Sequence, residues 1–126
     1  MKIVYTILTL LFGIIMILAG FMHFIKPHAY DGFIPDFMPK VLVNYVSGII
    51  EILIGAGTVT KRYRKQATLA LLVLMIAFLP LHTIDLFKVQ PAIGSHLLAL
   101  IRFPIQFILI AWAWFIHLNS PSRGNL

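Results

Sequence analysis

The stretch "IVYTILTLLFGIIMILAGFM", residues 3–22, is the strongest indication of the fold, because it runs for twenty residues without a charged side chain. A helix that crosses a bilayer needs ~20 predominantly apolar residues at ~1.5 Å of rise per residue. A signal peptide has a shorter apolar core followed by a small-residue cleavage site, and no such site follows here. We therefore expect a retained transmembrane helix at this position.

The composition of the whole chain agrees with a membrane protein. Of its 126 residues, 60% are hydrophobic and only 11% are charged, too few to form the polar surface of a soluble domain. In this class of protein, the net charge of +6 indicates basic loops beside anionic lipid rather than nucleic-acid binding. The absence of cysteine excludes disulfides and thiolate chemistry.

Three further apolar segments have the length of membrane spans. We predict an all-α fold, a four-transmembrane-helix bundle forming a single domain over residues 1–126. The predicted helices cover about residues 3–25, 41–60, 66–87 and 97–118. Between the first two helices, residues 26–40 form a Pro-rich loop with several aromatic side chains. We expect this loop to lie at the membrane interface as a lid over the bundle.

The basic turn "KRYRK", residues 61–65, predicts the orientation of the chain. Positively charged loops favour the cytoplasmic side, and four charges cluster in this turn. An even number of spans then places both termini in the cytoplasm as well. We expect a multi-pass protein of the cell membrane with both termini cytoplasmic.

Polar residues inside the predicted spans gather toward the end opposite the basic turn, in the outer leaflet. Their spacing of three or four residues gives each helix a polar stripe, which must face the protein interior in lipid. We expect Arg102 to pair with Glu51, Asp85 or both, since an unpaired charge in a bilayer is costly. The candidate ligand- or proton-binding residues are His23, Ser47, Glu51, His82, Asp85, Arg102 and Gln106.

Glycines and prolines predict how the helices pack. Gly13 and Gly20 on helix one, and Gly48 and Gly55 on helix two, are each seven residues apart. Such small residues favour a close seam between these two helices. Prolines within helices three and four lack a backbone N–H, so they leave carbonyls without helical hydrogen bonds beside the polar cluster.

Interpretations that give these residues no role in a functional site also stay open. Arg102 with a carboxylate is equally consistent with an internal staple that holds the helices in register. His28, His96 and His117 are expected to be interfacial, without a role in a site. The metal-capable side chains lie on three helices without a ligand motif such as H-E-x-x-H, so we expect no metal site.

Four motifs in order resemble the DoxX-like family of small membrane proteins. They are "GFMHFIKPHAYDGFIPDFMP", "VSGIIEILIGAG", the basic turn before "ATLALLVLM", and "IRFPIQFILIAWAW". The resemblance implies a four-helix membrane bundle in a family named for a subunit associated with thiosulfate–quinone oxidoreduction. At the end of helix three many relatives resemble "FPAN", whereas this chain has "FLPLHTID", so a substrate does not transfer with the resemblance.

These observations lead to three hypotheses about function. The first is a protein that binds a quinone or lipid in an outer-leaflet polar pocket and acts in membrane redox metabolism. No motif in the sequence identifies a cofactor, and a quinone is the one that this hypothesis admits. The protein's partners would be the bilayer, that ligand and a redox-enzyme subunit. The second is a structural or accessory subunit whose polar network only holds the bundle together. An independent enzyme ranks last, because no nucleophile constellation is present.

Overall fold

The computed structural model describes residues 1–125, which form four long α-helices and no strand. The helices are α1 (Lys2–Ile25), α2 (Lys40–Val59), α3 (Arg64–Leu86) and α4 (His96–Asn119). Every helix begins and ends within two residues of its predicted bounds, so the all-α prediction is confirmed. Short 3-10 helices cover Pro27–Phe33, between α1 and α2, and Arg123–Asn125.

The pattern of exposure is that of a protein in hydrocarbon. Large apolar side chains cover the outside of the helices, with Ile3 75% and Leu53 65% exposed. Polar side chains are inside instead, and both Asn44 and Gln106 are almost fully buried. Within the described residues, four helices are long and apolar enough to cross a membrane. The chain is therefore a multi-pass membrane protein.

The predicted glycine seam between α1 and α2 is confirmed. A Cβ on Gly20 would lie 2.6 Å from the carbonyl oxygen of Gly48, and one on Gly48 would lie 2.8 Å from that of Gly20. The same relation holds between Gly13 and Gly55 one heptad away. Backbone is packed directly against backbone at both places, because hydrogen is the only side chain that fits.

The core occupies the half of the bundle next to the basic turn, which we call the basic end. Phe12, Leu71 and Ile116 are fully buried there. The indole N–H of Trp112 donates to the carbonyl of Leu8 at 3.1 Å, and its ring lies 4.5 Å from that of Phe12. These contacts fasten α4 to α1 and fill this end of the bundle.

Part of the basic turn is structural. Arg64 is buried and donates to the carbonyls of Thr58 and Val59 at 2.7 and 2.9 Å, where α2 ends. Lys65 donates to the carbonyl of His117 at 2.8 Å, near the end of α4. Cations at helix C-termini satisfy carbonyls that lack a helical partner. The turn thus joins two helix ends in addition to carrying charge.

Residues 27–39, which we call the lid, cover the opposite end of the bundle. The ammonium of Lys40 donates to two lid carbonyls at 2.9 and 3.0 Å. Lys88 donates to the carbonyl of Gly32 at 2.7 Å, and Gly32 lies against Ala92 in the loop between α3 and α4. The lid is thus fastened to both helix pairs, while its position at a membrane interface stays a prediction.

Candidate functional site

A cavity of about 600 Å³ lies beneath the lid and reaches down to the core. Its volume falls within the range of small-molecule sites, ~300–1,000 Å³. Its walls are mostly apolar, with Phe12, Met16, Phe78 and Leu109 toward the core. The polar side chains that line it are His23, Tyr30, Asn44, Ser47, Glu51, His82 and Arg102.

One polar wall of the cavity is a chain of three buried side chains from α1 and α2. The amide of Asn44 donates to the backbone carbonyl of His23 at 2.8 Å. The amide oxygen of Asn44 lies 2.6 Å from Nδ1 of the same histidine. On the other side of the imidazole, Nε2 lies 3.0 Å from Oε2 of Glu51. The imidazole is thus held between an amide and a carboxyl group.

These contacts determine where the protons lie. Because the amide nitrogen of Asn44 faces a carbonyl, its oxygen faces His23 and requires a proton on Nδ1. Nε2 and Oε2 of Glu51 are both lone-pair acceptors unless one of them carries a proton, so the short contact requires one proton between them. The pair is therefore net neutral, as imidazolium and carboxylate or as imidazole and carboxylic acid. Apart from this contact, Oε2 has no hydrogen-bond partner within residues 1–125.

Aromatic side chains of the lid close the cavity over both histidines. The ring of Tyr30 stacks on that of His23 with centroids 3.9 Å apart. Burial, and then the charge of Glu51, raise the pKa of Tyr30 above its ordinary value, so its phenol remains a donor. Phe33 meets His82 edge to face at 5.7 Å. The lid therefore makes side-chain contact with the site it covers.

The second polar wall is Arg102 on α4. Its Nη2 donates to the side-chain oxygen of Gln106 at 2.7 Å, one helical turn along the same face of α4. Gln106 in turn donates to the carbonyl of Met75 at 2.6 Å, which fixes the amide against α3. Nη1 of Arg102 is buried and has no hydrogen-bond partner in residues 1–125. A buried donor left unpaired costs ~1–3 kcal/mol, and more when it is charged.

The expected ion pair between Arg102 and a carboxylate is wrong. The chain has four acidic residues, and each one contacts a different lysine or histidine. The pairs are Asp31 with His28, Asp36 with Lys40, Glu51 with His23, and Asp85 with Lys88. His23 contacts Glu51 because the glycine seam brings α1 against α2. Across the described residues, Arg102 is left without an acidic side chain within ion-pair distance.

Asp85 does not reach the cavity, although it lies three residues from His82. Its carboxylate accepts from the backbone N–H groups of Ala92 and Ile93 at 2.5 and 3.3 Å, and it is almost fully buried. Lys88 stands 4.0 Å away. A carboxylate at the end of α3 is the nearest acceptor for these loop amides, so it holds the loop that supports the lid.

The structure divides the remaining candidates. Ser47 and Glu51 both line the cavity, in agreement with their i,i+4 spacing on α2. Gln106 is fully buried behind Arg102, outside the lining, and acts on the cavity only through that side chain. His117, expected to be interfacial and without a role in a site, lies outside the cavity and has Nδ1 3.1 Å from the hydroxyl of Thr68 at the basic end.

Two residues of the site were missed in the sequence analysis. Asn44 precedes Ser47 by three residues and Glu51 by seven, so its place on the polar stripe of α2 was a usable signal. Tyr30 had no such signal. Its contact with His23 depends on how the lid folds back over α1.

The polar side chains of the cavity can recognise a bound molecule and exchange a proton with it. Within residues 1–125, no three His, Cys, Asp or Glu side chains gather as metal ligands do. The neutral pair of His23 and Glu51 holds one proton beside an apolar chamber, where it can be given or taken. Arg102 supplies a fixed positive charge on the facing wall. The cavity thus suits a molecule with an apolar body and a polar head.

Comparison with known proteins gives one match. A family described as a domain of unknown function, DUF8561, matches residues 12–117, which include every side chain that lines the cavity. Neither the curated proteins nor the solved structures contain a match. The resemblance to DoxX-like proteins stays a prediction.

Proposed function

Because the chain belongs to the DUF8561 family, whose function is unknown, we propose from the cavity that this protein binds one small amphipathic molecule, a quinone or a lipid, inside the membrane. One observation carries the proposal: Nη1 of Arg102 is buried without a hydrogen-bond partner in residues 1–125, and its side chain lines the apolar cavity. Buried polar groups are normally satisfied, so exceptions of this kind indicate a missing partner.

The two walls of the cavity assign roles within the proposed site. The apolar lining toward the core holds the tail of the molecule, and the head lies under the lid among His23, Glu51 and Arg102. Arg102 donates hydrogen bonds to the head, while the shared proton of His23 and Glu51 is available for exchange. Such exchange suits a quinone, which takes up protons when a redox-enzyme partner supplies the electrons that reduce it, and this extends the proposal to membrane redox metabolism.

A purely structural role is the alternative. This role is favoured by two hydrogen bonds, from Arg102 to Gln106 and from Gln106 to the carbonyl of Met75, which join α4 to α3. A residue with a purely structural role would be expected to have all its buried donors paired. Nη1 of Arg102, however, is unpaired within the described chain. The ligand-binding proposal therefore has the stronger support. Association with a redox enzyme is compatible with either role.

The proposal includes an orientation in the cell membrane. The basic end carries most of the positive charge, from residues 61–65 and from both terminal segments. By the positive-inside rule this end faces the cytoplasm, with both termini there. The cavity and its lid then lie in the outer leaflet, where the ligand would enter.

The test fills the cavity without touching a polar group. Ala19 lines the cavity, so Ala19→Phe places a ring where the ligand would lie. We expect the wild-type protein, purified in mild detergent, to carry an enriched lipid or quinone by mass spectrometry of its organic extract. Ala19→Phe should reduce that species about ten-fold or more, because its volume is taken.

Ala111→Phe is the matched control, since Ala111 is exposed on the outer surface of α4. It should retain the enriched species at the wild-type level. Equal extracts from the wild type and both variants, with no enriched molecule, would reject ligand binding. That outcome would leave the structural role as the better account.

A further inference from the structure

Resting on the proposed function, we infer that the amphipath in this cavity has an acidic head, a carboxylate or a phosphate, and that this head pairs with Arg102. The proposed function admits both a neutral quinone and an acidic lipid. The charge balance of the cavity separates them.

The chain offers Arg102 no acidic side chain of its own. All four are engaged with lysine or histidine, and the group that holds the guanidinium is the neutral amide of Gln106. A guanidinium does not lose its proton in proteins, so the positive charge persists inside the membrane. The counter-ion must therefore come from outside the chain, and the cavity is the space that the side chain faces.

The opposite wall leaves this charge uncompensated. His23 and Glu51 share one proton, so together they contribute no net charge to the cavity. The three side chains His23, Glu51 and Arg102 therefore carry one positive charge together. A head with one negative charge balances it, whereas the carbonyls of a quinone do not.

The form of Arg102 suits an acid. Gln106 holds Nη2, and Gln106 is itself fixed by the carbonyl of Met75, so the guanidinium is anchored on one side. Nη1 is enclosed by protein atoms and unpaired within residues 1–125. A turn of the guanidinium toward the cavity presents this donor to the head. Two oxygens of a carboxylate or phosphate can then accept from the planar fork of the guanidinium.

The experiment compares probes with acidic and neutral heads, and the acids and the ester carry the same length of tail. Delipidated protein in neutral detergent is titrated calorimetrically with palmitic acid, hexadecyl phosphate, methyl palmitate and decylubiquinone. We expect at least one acid to bind the wild-type protein about ten-fold or more tightly than the ester, because only the acid forms charge-assisted hydrogen bonds. The tighter of the two acids identifies the head as carboxylate or phosphate.

Arg102→Gln should bring the ratio of acid to ester affinity close to one, and Arg102→Lys should retain part of it. Lys26→Gln is the matched control, because it removes the same charge from an exposed position at the lid end. It should leave the ratio unchanged.

A wild-type ratio near one, or the same ratio in Arg102→Gln, would overturn the inference while leaving the proposed function in place. If no probe binds the wild-type protein and Ala19→Phe has no effect on its extract, both fail. Should Arg102→Gln not fold, the wild-type ratio and Arg102→Lys still decide.

Discussion

At the scale of single residues, Asn44 has the clearest role. It accepts from the imidazole of His23 and donates to the backbone carbonyl of that residue, which lies in the last turn of α1. One side chain therefore orients the histidine and satisfies a carbonyl that the helix leaves unpaired. The proton between His23 and Glu51 depends on this orientation, because Asn44 fixes which imidazole nitrogen faces the carboxyl group.

Asn44→Ala should lower the free energy of unfolding by about 1–3 kcal/mol, since it leaves a buried carbonyl and a ring nitrogen without partners. The measurement is unfolding by sodium dodecyl sulfate in mixed micelles, followed by circular dichroism. Thr60→Ala is the control, because the hydroxyl of Thr60 is exposed and bonds only within its own helix region. Equal stability of the two variants would contradict the role given to Asn44.

At the scale of elements, α1 and α2 form the most closely packed pair. Their contact at Gly20 and Gly48 is backbone against backbone. It brings His23, one turn further along α1, within reach of Asn44 and Glu51 on α2. The seam is thus the reason why the histidine binds the carboxylate that was expected to bind Arg102.

Gly20→Ala should separate these helices, because its Cβ would lie 2.6 Å from the carbonyl oxygen of Gly48 and 2.9 Å from the nitrogen of Ile52. We expect a loss of about 1–3 kcal/mol in the same unfolding assay, since backbone atoms cannot move aside as a flexible side chain can. Gly124→Ala, where a Cβ meets nothing within 4 Å, should have no effect.

A double variant, Gly20→Ala with Gly48→Ala, tests whether the two glycines form one contact. Its loss should be smaller than the sum of the single losses, because the first methyl group already separates the helices. Strictly additive losses would show that the two sites act independently.

At the scale of the whole molecule, the proposed orientation is open to a direct test. The chain has no cysteine, so a single one is a unique label. Asp36→Cys in the lid and Ser122→Cys in the tail are both at exposed positions, and the surface ion pair lost with Asp36 contributes little to stability. An impermeant maleimide should label Asp36→Cys in intact cells and Ser122→Cys only after permeabilisation. The reverse pattern would invert the topology, and the unmodified protein should not be labelled.

Sequence alone was sufficient for the helices and their bounds. In hydrocarbon every backbone polar group must be paired within the segment, so runs of about twenty apolar residues have no alternative to a helix. The same condition turns polar stripes inward, and the i,i+4 relations of Ser47 with Glu51 and of Arg102 with Gln106 followed from helical geometry. The glycine spacing likewise predicted the seam.

Which polar groups meet was not predictable from the sequence, because it depends on how the helices pack. Residues four apart on one helix have a fixed relation, but partners on different helices depend on rotation, tilt and separation. The seam brings Glu51 into contact with His23, and Asp85 accepts hydrogen bonds from backbone amides of the loop after α3. Arg102 was thereby left facing the cavity without an acidic side chain. Helix period determines what each helix presents, whereas packing between helices determines what that face contacts.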